Sequence, residues 1–510
     1  MQRPWLCRVL TARCLRCQRD GPHGPWLIGL PYCVLRPIAV TGIVMAKRLF
    51  GTALHASVVA LAVSELLLFA AALLGATYLR LQPGAALLPW QVADVQYVAV
   101  AFAVLLFVCC LALGLYTHRQ RANAAGVLLR VLLAGVCTTV LMSLAIWLLP
   151  QLPIGYRELL AAVLLSVLFS LCVRVLFTAL GVGDVFRRRV LVYGAGARAL
   201  TFQQLRRASD RRSFKVVGYI CPPDEPAQVP QEQLLDASQG LLALSQAHAV
   251  QEIVVALEDR RLSLPVDELL ACRMAGIVVS DYVTFMEGAV GRIVLEALNP
   301  SWLIFASGFR QDPLRRFMSR AMDIAVSLLL LVLTLPLWLL ALIAIRIEDG
   351  WHGASAVFRQ QRVGFGGVPY TLYKLRSMSA DAEKGGAQWA QKNDPRVTRV
   401  GAFIRKTRID ELPQLYNVLR GDMSLVGPRP ERPEFVSTLQ ANIPFYAQRH
   451  AVKPGIAGWA QLCYPYGASE ADALQKLQYD LYYVKNNTFL LDLSILVQTA
   501  EVVLMGKGAR

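Results

Sequence analysis

Two adjacent carboxylates, Asp410 and Glu411, follow a short basic run, Arg405-Lys406-Thr407-Arg408. Upstream lies Tyr373-Lys374-Leu375-Arg376, and downstream lies Gly427-Pro428-Arg429-Pro430. One of the two carboxylates could attack a phosphorylated substrate while the other holds the cation that lets one anion approach another. Successive side chains on a helix point about 100° apart, so the two carboxylates would divide these roles. A helix beginning at the pair would favour both charges through its dipole. Nearby arginines would clamp phosphate oxygens. The competing reading is a surface Asp-Glu pair in salt bridges with the basic run, and spacing alone leaves both open.

Such a site needs a scaffold, and the rest of the chain is apolar. Of 510 residues, 55% are hydrophobic, and the mean hydropathy is +0.44. That excess marks a membrane protein. The formal net charge of +17 suits anionic lipid or phosphorylated substrates. No zinc-finger spacing and no RNA-binding signature accompany it, so nucleic acid is not an expected partner. The eleven cysteines form no disulfide framework. Cys109, Cys110, Cys137 and Cys172 lie inside apolar runs, and Cys14-x-x-Cys17 has no second pair at zinc spacing.

Four apolar runs, at about 52–79, 93–116, 127–149 and 158–180, are each long enough to cross about 30 Å of hydrocarbon. Lys47, Arg48, Arg119, Arg121, Arg130 and Arg187 to Arg189 weight one side, against Arg80 and Arg157 on the other. Both ends of this bundle are therefore expected in the cytoplasm. Glu65 and Arg174 are ionisable groups within the runs; Glu65 is expected to hydrogen-bond inside the bundle and Arg174 to snorkel. Residues 186–310 read as a Rossmann-like α/β domain, with parallel strands at Val190–Tyr193, Glu252–Leu257 and Gly276–Ser280. Gly194 and Gly196, with Ala199, match a dinucleotide-binding turn. The acid that should follow is missing, since Val216–Cys221 runs into Pro222, Pro223 and Asp224. NAD binding is not expected. A fifth apolar run, about 321–347, contains Pro336 as a hinge. Arginines flank it on both sides, which predicts a re-entrant hairpin of two short helices; a kinked spanning helix is the alternative.

The segment from about Ser319 to Arg510 resembles the bacterial sugar transferases, the monotopic phosphoglycosyl transferases. The three stretches quoted above carry the resemblance, in order. Lys453-Pro-Gly-Ile-Ala-Gly-Trp-Ala-Gln461, Tyr464–Ser469 and Gln478-Tyr-Asp-Leu-Tyr-Tyr-Val-Lys485 resemble the subgroup associated with exosortase-type exopolysaccharide loci. The resemblance implies transfer of hexose-1-phosphate from a UDP-sugar to undecaprenyl (polyprenyl) phosphate at the inner membrane, with the catalytic domain in the cytoplasm. It implies Asp410 as nucleophile, Glu411 as the Mg²⁺ ligand, and Arg429, Arg405, Arg376 and Lys374 on substrate phosphates. Two departures stand out. The hinge reads Leu335-Pro336, which leaves Thr334 to satisfy the backbone. The stretch from Glu348 to Phe358 is long and lacks the usual proline.

The expected organisation is therefore a leader at 1–44, a four-helix membrane bundle at 45–185, the α/β domain at 186–310 and an α-rich catalytic domain at 311–510. The leader has no period that fits the rest, and Met45-Ala-Lys-Arg reads as a natural start. Two other functions remain in view. A membrane-bound NAD-dependent nucleotide-sugar dehydratase or epimerase would use a Tyr-x-x-x-Lys pair, a spacing met at Tyr370 and Lys374. A non-catalytic scaffold for polysaccharide assembly would keep the acidic pair in salt bridges. Membrane lipids are expected neighbours, and the sequence leaves a homo-oligomer open.

Overall fold

The structure is a computed structural model that describes residues 56–80, 89–116, 124–179, 187–205, 214–223, 225–236, 238–258, 264–298, 313–348, 355–379, 381–382, 394–464, 467 and 469–504. The leader and Met45 lie outside these residues, as do Asp224 and residues 349–354 of the long loop.

The four N-terminal apolar runs form α1 (Ala56–Arg80), α2 (Pro89–Ala112), α3 (Ala124–Leu148) and α4 (Tyr156–Ala179). Each is long and apolar enough to cross a membrane, by length and composition. Phe69, Leu73, Phe102, Leu106 and Leu159 pack between the helices, while Leu67, Val100 and Leu164 face outward. Apolarity on both faces is what lipid requires. Glu65 is fully buried. It accepts from Tyr116 Oη at 2.5 Å and Ser170 Oγ at 2.7 Å and pairs with Arg174 at 2.8 Å. Arg174 thus turns inward to Glu65 and the Leu115 carbonyl rather than snorkelling. A carboxylate in apolar surroundings holds a cation more strongly than water would.

The α/β domain is a four-stranded parallel sheet in the order β2-β1-β3-β4, comprising β1 (Arg188–Tyr193), β2 (Phe214–Ile220), β3 (Glu252–Val255) and β4 (Val278–Asp281). Alternation decides its two cores. Val190, Val192 and Val254 meet Phe202 and Phe285 on one face. Leu191, Tyr193, Ile253 and Val255 meet Leu241 and Leu269 on the other. The helices that cover the faces include α5 (Ala197–Leu200), α6 (Leu241–Ala247), α7 (Val266–Met274) and α8 (Tyr282–Val290).

The glycine turn follows β1, where strand order reverses and open α/β sheets bind ligands. Gly194 has φ of +128° and lies against the backbone of Ala256, so close strand packing explains this glycine. Carboxylates already occupy the turn's donors. Ala195 N donates to Glu225 Oε2 at 2.9 Å, and Ala197 N donates to Glu258 Oε1 at 2.7 Å. A dinucleotide pyrophosphate would have to displace both anions.

The C-terminal domain begins with α9 (Pro313–Glu348), a continuous 36-residue helix that contains Pro336. It is one helix, not two short ones separated by a break. Thr334 Oγ1 donates to Leu330 O at 2.6 Å. The carbonyl that Pro336 deprives of its partner is that of Val332, so the hydroxyl does not fill the gap expected of it. Both ends of α9 are tied to the same domain. Arg320 donates to the carbonyls of Val418 and Leu419 at 2.6 and 2.7 Å, and Asp323 accepts from Leu425 N at 2.9 Å. At the far end Glu348 accepts from Arg399 N at 2.9 Å, and Ala341 and Ile345 pack on Leu375 and Ile404. Between the anchors Leu329, Val332, Leu333 and Leu340 are exposed.

The remaining elements are the antiparallel hairpin β5 (Val357–Val363) and β6 (Pro369–Leu375), helices α10 (Arg399–Lys406), α11 (Gln414–Arg420) and α12 (Pro433–Asn442), the parallel pair β7 (Ser424–Val426) and β8 (Gly455–Ala457), and α13 (Trp459–Cys463), α14 (Glu470–Asn486) and α15 (Phe489–Leu504). The α/β domain docks on α13 and α14. Trp459 Nε1 donates to Gly291 O at 2.9 Å, Ile293 N to Gln478 O at 3.1 Å, and Lys485 Nζ to Glu287 Oε2 at 2.7 Å. The bundle docks on α15 through Arg130 and Glu501 at 2.5 Å.

The filled glycine turn generates a prediction. Full-length protein should give no calorimetric heat with NAD or NADP at millimolar ligand. Micromolar affinity would contradict the account of Glu225 and Glu258 as resident anions.

Candidate active site

Asp410 and Glu411 sit on a short 3-10 turn, Ile409–Glu411, between α10 and α11. The expected helix start is this turn rather than the first turn of an α-helix. Thr398 caps α10 by accepting from Gly401 N at 2.9 Å, and Arg408 then reverses the chain in the left-handed region at φ +61°. That conformation costs a non-glycine residue about 1–2 kcal/mol. It swings Arg408 back over the dyad, where its guanidinium lies 3.6 Å from Glu411 Oε1.

Glu411 gathers two more cations on the same oxygen. Arg429 is 3.2 Å away and Lys374 is 3.5 Å away. Burial pushes the Glu411 carboxyl up, but Lys374, Arg429 and Arg408 together outweigh burial and hold it down at about 2. Asp410 behaves in the opposite way. Burial, reinforced by the Glu411 charge, raises it to about 6 against the pull of the same cations. Its Oδ1 is buried and has no hydrogen-bond partner. Burial also lowers the Lys374 ammonium, partly offset by Glu411. One carboxylate is thus charge-satisfied, and its neighbour carries an unsatisfied oxygen.

Three elements place these groups. Asn417 on α11 is fully buried; it accepts from Tyr373 N at 3.1 Å and donates to Thr371 O at 2.8 Å. That bridge fastens β6, which carries Lys374, to the helix that follows the dyad. The Pro428–Pro430 turn is held by Arg449, which donates to Arg429 O at 2.9 Å, and by Arg362, which donates to Pro430 O at 3.0 Å. Arg449 is itself fixed by Asp480 at 2.8 Å. Asn417, Arg408 and the Arg449–Asp480 pair were not singled out as site residues from sequence. A polar side chain among the buried Leu415 and Val418 was the available signal for Asn417.

The structure brings Asp410, Glu411, Lys374 and Arg429 together. Arg376 and Arg405 are not among the cations on Glu411, nor do they line the adjoining cleft. Arg376 is buried, and burial followed by repulsion from Arg346 lowers its guanidinium; it belongs to the far end of α9. Lys374 is committed to Glu411 on a different domain from Gly194, so Tyr370 and Lys374 do not form a dehydratase pair with the glycine turn. Pro336 neighbours the site, for Thr334 and Leu337 line the cleft together with Ile409 and Glu411. The cleft is large, about 1950 Å³, and its walls come from α9, the dyad turn, the Arg429 turn, α14 and the α/β domain.

Mg²⁺ was expected on Glu411. The three cations converge on Glu411 Oε1, which leaves Oε2 outside those pairs. No cluster of three or more metal-binding side chains occurs among the described residues. This donor set fits Mg²⁺, which is commonly held by one or two carboxylates and completed by substrate phosphates.

The cleft is lined by Glu411 with Arg408 and Arg429, and by Leu330, Thr334 and Leu337 of an apolar helix whose two ends are anchored to the same domain. Residues 314–506 match the bacterial sugar transferase family. A UDP-N-acetylgalactosamine-undecaprenyl-phosphate N-acetylgalactosaminephosphotransferase of Aeromonas hydrophila is 42% identical over 259 residues, covering 51% of this chain and 60% of that protein. A putative undecaprenyl-phosphate N-acetylgalactosaminyl 1-phosphate transferase of Bacillus subtilis is 58% identical over 130 residues, 26% of this chain and 71% of its own length. A UDP-glucose:undecaprenyl-phosphate glucose-1-phosphate transferase of Escherichia coli is 31% identical over 330 residues, 63% of this chain and 69% of its own. The chain belongs to the bacterial sugar transferase family.

The raised Asp410 has a measurable consequence. Its folded pKa of about 6 lies above the ordinary 3.8, so the fold disfavours the charged form. The penalty is absent well below pH 4, grows up to about pH 6 and is fully present above it. Asp410→Asn should therefore be inactive yet no less heat-stable than wild type at pH 8, and its advantage should vanish near pH 4. In parallel, kcat/KM of wild type should fall as pH drops through about 6. A lower melting temperature for Asp410→Asn at pH 8 would contradict this account.

Proposed function

We propose that the protein transfers a hexose-1-phosphate from a UDP-sugar to undecaprenyl phosphate and releases UMP. The observation that carries this reading is the unpaired, buried Asp410 oxygen beside a glutamate that draws three cations. The relatives' names support these substrates, and the geometry of the acidic pair supports the following roles. Asp410 attacks the β-phosphorus, forming an O–P bond as the bond to the α-phosphate oxygen breaks and its electrons leave with UMP. The phosphate of the lipid then attacks the same phosphorus and expels the Asp410 carboxylate. Arg429 and Lys374 neutralise the phosphate oxygens, and their contacts to Glu411 hold them in place before substrate arrives. Mg²⁺ held by Glu411 would neutralise charge on the diphosphate. One phosphoanhydride replaces another, so no further energy source is needed.

The fixing of both ends of α9 to one domain, with exposed leucines between, supports a re-entrant helix that enters and leaves on the cytoplasmic side. Arg315, Arg316 and Arg320 before it and Arg346, Arg359 and Arg362 after it support the same side for both ends. The Lys453–Gln461 and Gln478–Lys485 stretches support a role in starting the repeat unit of an exosortase-associated exopolysaccharide.

Membranes carrying the protein should move label from a UDP-sugar to undecaprenyl phosphate. Without acceptor, sugar-phosphate should accumulate on Asp410 and be found there by peptide mapping. Arg429→Lys should lose about 100- to 1000-fold in rate, while Glu411→Gln should be partly rescued by raised Mg²⁺. Label on another residue would overturn the covalent role of Asp410. A cysteine introduced near Ser379 should resist an impermeant reagent in intact cells; ready labelling would mean that α9 spans the bilayer.

A further inference from the structure

The α/β domain forms part of the cleft wall, and one of its side chains there has no partner among the described residues. Arg292 follows α8 and lines the cleft. Its two neighbours are pinned to the catalytic domain: Gly291 O accepts from Trp459 Nε1 at 2.9 Å, and Ile293 N donates to Gln478 O at 3.1 Å. The backbone at Arg292 is thus held by the domain that carries the dyad. The side chain is half-buried, and its Nε is sealed from solvent with no hydrogen-bond partner.

The other arginines of the cleft differ. Arg408 and Arg429 pair with Glu411, Arg449 pairs with Asp480, and Arg396 pairs with Asp394. Arg198, the other arginine that the α/β domain places in the cleft, donates to Leu257 O. Arg292 has no ion pair or hydrogen bond from its guanidinium among the described residues. Sealing the Nε of a guanidinium from water without a partner is unfavourable. Such a group is retained where an anionic ligand completes it, and the planar fork of arginine suits phosphate.

We propose that Arg292 takes a phosphate group of the ligand bound in the cleft, which gives the α/β domain a direct part in substrate binding. The identity of that ligand rests on the transferase reading above. Two substrates carry phosphate, the nucleotide of the donor and the headgroup of the lipid acceptor, and the proposal places the donor's diphosphate there. Neither source requires a nucleotide in the glycine turn, whose donors are already occupied by Glu225 and Glu258.

The test is equilibrium binding of UDP, and separately of a short-chain polyprenyl phosphate, to the full-length protein in nanodiscs. Arg292→Gln keeps the backbone contacts of Gly291 and Ile293 and should melt as wild type does. UDP affinity should fall about 10- to 100-fold, the range for losing a charged hydrogen bond. Arg292→Lys should fall in between, which a purely structural role would not produce. Loss of polyprenyl phosphate affinity alone would keep the phosphate contact and assign it to the acceptor. Unchanged affinity for both ligands in a folded variant overturns the proposal, as does wild-type protein that binds neither. A wild type that binds UDP in an Arg292-dependent way yet transfers no sugar-phosphate would sink the transferase reading and leave the Arg292 contact standing.

Discussion

The organisation of the catalytic domain depends on Glu411 and the three cations drawn to one of its oxygens. Lys374 comes from a β-hairpin, Arg408 from a strained turn and Arg429 from a proline-flanked turn, so a single carboxylate gathers three separate pieces of chain. Burying those charges is tolerable only because they answer one another. The same field leaves Asp410 exposed to a conflict between burial and the pull of the cations, and burial wins. The charged form of Asp410 is thus disfavoured by the fold, beside three cations already gathered on its neighbour Glu411.

Supporting contacts extend outward from that centre. Asn417 locks the hairpin to the helix after the dyad, and the Arg449–Asp480 pair holds the backbone of the Arg429 turn. The long helix α9 brackets this assembly from both ends. Its Arg320 caps the carbonyls of α11 and its Glu348 caps the start of α10. The two helices that flank the dyad are therefore each fixed by an opposite end of the membrane helix. Movement of that helix relative to the bilayer would be felt at Asp410.

Much of this was legible in the sequence, and the failures have physical reasons. The apolar runs marked the four bundle helices to within a few residues, because lipid demands apolarity on every face. Short apolar runs and the glycine turn after the first of them marked the α/β domain. Dense charged motifs marked the acidic pair, Lys374 and Arg429 in the sequence, and the fold brings Lys374 and Arg429 onto Glu411. Arg376 misled because β6 ends at Leu375; past that point the every-second-residue rule no longer keeps it on the face of Lys374. Arg405 misled because it belongs to α10, whereas the chain turns toward the site only at Arg408, in a conformation that no arginine advertises. Arg174 was expected to reach water, but a partner 109 positions earlier in the chain captured it. Arg292 has no motif around it; only the docking of two domains gives it a place.

The pairing of Glu65 with Arg174 also constrains how the protein is made. The two charges lie in the first and the last helix of the bundle, and the first is synthesised long before the last. Until α4 arrives, α1 lacks its arginine, and a charged group near mid-helix disfavours insertion by roughly 2.5–3.5 kcal/mol. Tyr116, which follows α2, is the earlier partner in chain order, and Arg174 completes the pairing only with the last helix.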